Sequence, residues 1–164
     1  VSEPAPVLTI DFSIQSGSWP EQSELASMLD KTLSIASELC PFDLPQGAEV
    51  SVVFCDDENI QVLNQSFRDE DKPTNVLSFA SNDHVELESW SPLLGDVILA
   101  QETIEREAKA QDKTFTDHMT HLLVHGFLHL VGYDHMNDED AEDMENMERK
   151  ILAELHIADP YLEA

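Results

Sequence analysis

Positive charge is what this chain has least of. Eight Lys and Arg stand against 34 Asp and Glu, for a formal net charge of -26. Such a body is expected to stay soluble, to repel copies of itself and to bind a phosphate backbone poorly without local help. Cysteine is nearly absent as well. Cys40 and Cys55 lack C-x-x-C spacing and sit among apolar neighbours, which argues against a disulfide scaffold and for free thiols in a reducing compartment. Only 5 Gly and 8 Pro are present, too few for a linker or a low-complexity chain. No apolar run approaches the roughly 20 residues of a membrane span. The start, VSEPAPVLTIDF, has no basic stretch leading into an apolar one, so no signal peptide is expected and the chain reads as cytoplasmic. At 164 residues and 41% hydrophobic, the length suits one domain over residues 1–164, with residues 1–6 as a disordered lead.

The scarce charge is clustered. Arg68, Lys72, Arg106, Lys109 and Lys113 are five of the eight bases, whereas the stretch after His135, NDEDAEDMENMERK, is strongly acidic. Any polyanion would therefore meet a local basic surface on an acidic body.

Hydrophobic periodicity gives the elements. Residues 7–14 alternate, as a half-buried strand does, and the β-branched run at 48–55 reads as a second strand. Leu25, Met28, Leu29, Leu33, Ala36 and Leu39 recur at helical spacing within residues 21–40. Asp56 or Asp57 can cap a helix bearing Ile60, Leu63 and Phe67. Residues 74–80 and 95–100 are predicted as strands, flanking a long loop, and residues 101–112 as a short exposed helix. Thr114 or Thr116 opens the next helix, which stops at Gly132, a position suited to positive φ. Asn137 or Asp138 caps a last helix to about His156, with Met144, Met147, Ile151 and Leu155 as its apolar stripe. The expected fold is α+β: one small mixed four-stranded sheet packed by about five helices, one of them a zincin-like metal helix.

That helix carries the chemistry. HGFLHLVGYDH reads H-x-x-x-H-x-x-G-x-x-H. His125 and His129, four apart on a helix, share one face and can reach one ion. Gly132 lets the chain turn back, so that His135 supplies a third imidazole. Three protein ligands and a water make the open coordination of a catalytic zinc, although nickel and copper also suit imidazoles. His121, one turn before His125, is better placed to support a ligand than to be one. His118 has no role readable from spacing, and His84 and His156 read as surface residues. The metzincin proteases share this spacing but need Glu directly after the first His; here that position is Gly126. Asp134 could stand in as the base, or could orient its neighbour His135.

Phosphodiester cleavage makes other demands. Charge develops on phosphoryl oxygens, and a metal with an Arg can stabilise it. Arg68 is a candidate, although an Arg at a helix end also serves as a simple dipole partner, worth about 0.3 kcal/mol.

HGFLHLVGYDH and FRDEDKPTNVLSFA, with LNQSFR overlapping the start of the second and LLGDVILA after it, resemble the YbeY family of bacterial metal-dependent endoribonucleases, also described as rRNA maturation factors. The likeness covers roughly residues 50–155. It implies a zinc ion on His125, His129 and His135, and Arg68 beside the metal cleft. It also implies cleavage of single-stranded RNA, 16S rRNA 3′-end maturation, late 70S ribosome quality control, and rRNA, ribosomal subunits or ribosomal proteins as partners, with neither DNA nor membrane. Asn75 and Ser78, at the PTNVLSF strand, could line the cleft or satisfy backbone groups. The chain departs from the family at Phe67, where Tyr is common, at Ala80, where Pro is common, and in its acidity. Two other readings remain: a zincin-like peptidase or amidase using Asp134, and a ribosome-assembly binding factor with a mainly structural zinc.

Overall fold

The central strand forms where β-branching and apolarity coincide. In a computed structural model describing residues 8–41, 44–133 and 137–161, β2 (Ala48–Cys55) alternates buried and half-buried residues up to Phe54 and ends with Phe54 and Cys55 both buried. It is flanked by β1 (Leu8–Ile14) and β4 (Leu93–Ala100), both parallel to it, and β3 (Val76–Ala80) closes the row antiparallel to β4. The sheet order is β1-β2-β4-β3, so β3 is an edge strand. This is the mixed four-stranded α+β sheet expected from the sequence. β4 begins two residues before the predicted start because Leu94 is buried, and the long loop before it contains one 3₁₀ turn, Leu87–Ser89.

Both faces of the sheet are covered. Val97 and Leu99 point into the main core with α1 (Gln22–Leu39), whose Leu25, Leu29, Leu33 and Ala36 fall on one stripe. Ile98 and Ala100 point the other way, against Ile60 of α2 (Asp57–Arg68). Helix α3 (Gln101–Ala110) is less exposed than its polar sequence suggests, because Ile104 and Ala108 are buried.

Helix α4 (Phe115–Leu130) is apolar around most of its circumference and runs between the sheet, α1, α3 and α5 (Asp138–Glu154). Its cap is Thr114, whose hydroxyl accepts from the Asp117 N–H at 3.1 Å. Asn137 caps α5 in the same way, at 2.8 Å from the Asp140 nitrogen, and Asp56 caps α2. Gly126 explains how α4 reaches the sheet: a Cβ there would lie 2.8 Å from Val97 Cγ1 and 3.5 Å from Val76 Cγ2. The predicted lead at residues 1–6 lies outside the described residues.

Candidate active site

Four histidines lie along α4, and two of them meet. His125 and His129 bring their Nε2 atoms to 3.2 Å, with ring planes at 83°. Their other nitrogens fix the tautomers. His129 Nδ1 lies 3.0 Å from the Tyr133 carbonyl oxygen, which can only accept, so that nitrogen carries the proton. His125 Nδ1 lies 2.8 Å from Glu148 Oε1. Burial of Glu148 would raise its carboxyl pKa. Hydrogen bonds from His121, His125 and Tyr161, and the charge of His125, outweigh that and hold it at about 2. Glu148 is thus an ionised acceptor, and His125 also carries its proton on Nδ1.

Both Nε2 atoms are therefore bases pointing into one small region. Tetrahedral zinc with N ligands at about 2.0–2.1 Å places neighbouring nitrogens about 3.3 Å apart, and the donor pair fits that edge. Among the described residues no group of three such side chains meets as a metal cluster. The predicted third ligand, His135, and the candidate base Asp134 lie outside the described residues. Gly132, at the bend, has φ +103°, as its position after the helix requires.

Gly126 settles the question of a base at its position. It packs against Val97 and Val76 of the sheet, so a Glu there would collide with the core.

Arg68 reaches the same cleft as His129. The cleft, of about 500 Å³, is lined by Arg68, Ser78, Ala80, Asp83, His129 and Tyr133 among others. Arg68 Nη2 donates to the Ser78 carbonyl at 2.9 Å, and its guanidinium lies 5.4 Å from the Phe79 ring centre. The αL residue Asp69, φ 58°, ends α2 just after it. Arg68 is therefore held on the β3 edge rather than spent on the carbonyls of its own helix. Ser78 lines the cleft. Asn75 lies at the start of β3 instead, where its amide donates to Glu107 at 2.9 Å and its oxygen accepts from the Val76 N–H at 2.7 Å.

His121 Nε2 is 3.4 Å from Glu148 Oε1, behind His125. His118, 3% exposed, bonds Glu107 through Nε2 at 2.9 Å, and burial lowers its pKa against the pull of that carboxylate. His84 is exposed, as a surface placement requires, and it borders an adjoining cavity of about 230 Å³ with Trp90 and His129. Sequence reasoning missed Glu148 and Tyr133. Glu148 had a signal: it lies four residues after Met144 and three before Ile151, on the apolar stripe of α5, and it is fully buried.

The family model described as Endoribonuclease YbeY matches residues 11–156. Endoribonuclease YbeY of Allorhizobium ampelinum is 47% identical over 159 residues, covering 94% of this chain and 95% of that protein. The Sinorhizobium fredii protein of the same name is 49% identical over 160 residues, covering 94% and 92%. The solution structure of TM1509 from Thermotoga maritima, 24% identical, superposes with a TM-score of 0.56 over 94% of this chain and 100% of that one, and shares the fold.

Proposed function

Because the chain belongs to the YbeY family of endoribonucleases, and so is a hydrolase of RNA phosphodiester bonds, we propose that it works with one zinc ion on His125, His129 and His135. Its proposed substrate is single-stranded RNA, in 16S rRNA 3′-end maturation and late 70S ribosome quality control. The proposed setting is the cytoplasm, with rRNA, ribosomal subunits and ribosomal proteins as partners. The observation that carries the metal reading is the pair of Nε2 bases 3.2 Å apart.

When bound, the ion supplies a Lewis acid and an activated water. The chain's own residues do the rest. Glu148 and the Tyr133 carbonyl keep the protons of His125 and His129 on Nδ1, so each Nε2 carries a lone pair. Arg68 spends one N–H on Ser78 and presents the rest of its fork to a phosphate entering the cleft, where negative charge grows during cleavage. The tight contact at Gly126 leaves no room for a peptidase's Glu.

The test is cleavage of a labelled single-stranded RNA by zinc-loaded protein beside His129→Ala of verified fold. Cleavage by the wild type alone supports the hydrolase reading. The net charge of -26 favours a second reading, a ribosome-assembly factor that meets basic ribosomal proteins. Failure of the zinc-loaded wild type to cut single-stranded or ribosomal RNA would move that reading ahead.

A further inference from the structure

Glu148 comes from α5, yet what steadies it comes from beyond that helix. Its carboxylate is fully buried and receives His125 Nδ1–H on Oε1 at 2.8 Å, with His121 Nε2 at 3.4 Å from the same oxygen. Oε2 is held by the hydroxyl of Tyr161. Tyr161 is itself anchored. Arg149 Nε lies 3.0 Å from Asp159 Oδ2, the Arg149 guanidinium lies 5.2 Å from the Tyr161 ring centre, and the Tyr161 N–H donates to Asp159 Oδ1 at 2.8 Å. The Tyr161 ring meets His121 edge-on, with centroids 5.7 Å apart.

We propose that Tyr161 is a positioning residue for the metal site, and that the segment around Asp159 and Tyr161 is a latch setting the tautomer of His125 through Glu148. The inference rests on the reading of His125 as a metal ligand. With the hydroxyl present, both carboxylate oxygens are tied, and Oε1 faces His125 Nδ1 in one orientation. Without it, the remaining donors among the described residues both converge on Oε1 and none of them fixes Oε2, so the carboxylate can rotate away. His125 then also populates the tautomer with its proton on Nε2, which has no lone pair there for a metal. Groups that orient a ligating imidazole in this way change metal affinity by about 10–100-fold when removed.

The experiment uses the full chain and Tyr161→Phe, which removes only the oxygen. Imidazole tautomers are read by long-range proton–nitrogen correlation on metal-free protein at roughly pH 8, above the ordinary histidine range. Zinc Kd is read by competition with a chromogenic chelator. The expected result is His125 with its proton on Nδ1 in the wild type and a tautomer mixture in Tyr161→Phe, whose zinc Kd rises about 10–100-fold. Thr114→Ala, which loosens α4 at its far end, serves as the control for general destabilisation and leaves tautomer and Kd unchanged. If Tyr161→Phe does not fold, Asp159→Asn frees the latch from Arg149 and shifts both readouts the same way by a smaller factor. Unchanged tautomer and Kd in a folded latch variant overturn the proposal. A wild type that binds no zinc, with a His125 tautomer that still shifts in Tyr161→Phe, sinks the metal reading and leaves the hold of Tyr161 on His125 demonstrated.

Discussion

Gly126 stands where a metzincin would carry its general base, and the reason is steric. A Cβ at this position meets two methyls of Val97, at 2.8 and 3.3 Å, and Val97 is fully buried with a stiff, branched side chain. Gly126→Ala gains about 1 kcal/mol in helix propensity, but overpacking a tight core costs about 1–3 kcal/mol. The expected net result is a melting temperature about 2–4 °C lower, read by calorimetry; a rise in melting temperature would show that the sheet yields more readily than the contact implies. Arg68 is the opposite case, since it is exposed and contributes little to packing. Arg68→Ala is expected to leave the melting temperature unchanged and to slow single-turnover RNA cleavage about 10²–10³-fold, as the loss of one preorganised charge donor does elsewhere. Arg68→Lys recovers only part of that, because an ammonium cannot bond Ser78 and a phosphate with one planar fork. Equal cleavage by Arg68→Ala would place the transition-state charge elsewhere.

Helix ends were legible because capping is local. Asp56, Thr114 and Asn137 were each one of two candidates in the sequence, and each accepts from the backbone nitrogen three residues on. Thr114→Ala should cost about 1 kcal/mol, a fall of about 2–4 °C. The contacts between elements were not legible. Nothing in residues 93–100 says that this strand slots between β2 and β3, and the place of Glu148 on the apolar stripe of α5 signals burial without naming His125 and Tyr161 as its partners. Arg68 likewise looked like a helix-dipole cation, because Ser78 lies ten residues away and only the fold brings the two together. One such contact yields a pH prediction. Asp57 joins α2 to α3: one carboxylate oxygen accepts from the Thr103 hydroxyl at 2.7 Å and the other from Arg106 at 2.8 Å. Burial would raise its pKa, but the Thr103 and Arg106 hydrogen bonds together lower it. A carboxyl depressed in the folded state contributes stability above its unfolded pKa, near 3.9, and that contribution is lost as pH falls through the folded value. Urea midpoints of wild type and Asp57→Asn should therefore differ at neutral pH and converge below about pH 4; a constant gap would mean that Asp57 acts by packing and not by charge.

At the scale of the whole molecule, the net charge of -26 opposes the substrate that the site is built to receive. The two electrostatic effects have different ranges, and salt separates them. Repulsion between RNA and the acidic body acts over the Debye length, about 30 Å at 0.01 M salt, comparable with the protein itself, and about 8 Å at 0.15 M. The proposed attraction of a phosphate to Arg68 would act within the cleft, at contact distance, where screening by salt is weaker. Adding salt to a dilute buffer should first remove the long-range repulsion and only later weaken the local contact. For a nuclease with a basic surface, kcat/KM falls steadily with salt, because each phosphate contact releases counterions. Here kcat/KM on a short single-stranded RNA should rise between about 0.01 and 0.15 M and decline beyond that, at fixed zinc and pH. The initial rise should shrink when several acids of α5, such as Glu139, Glu142 and Asp143, are neutralised together, since those exposed carboxylates lie on the most acidic helix. A steady fall from the lowest salt would mean that RNA approaches along a path shielded from the acidic body. The five bases between Arg68 and Lys113 would then be the place to look for that path, by neutralising Lys72, Lys109 and Lys113 in turn and following the slope against salt.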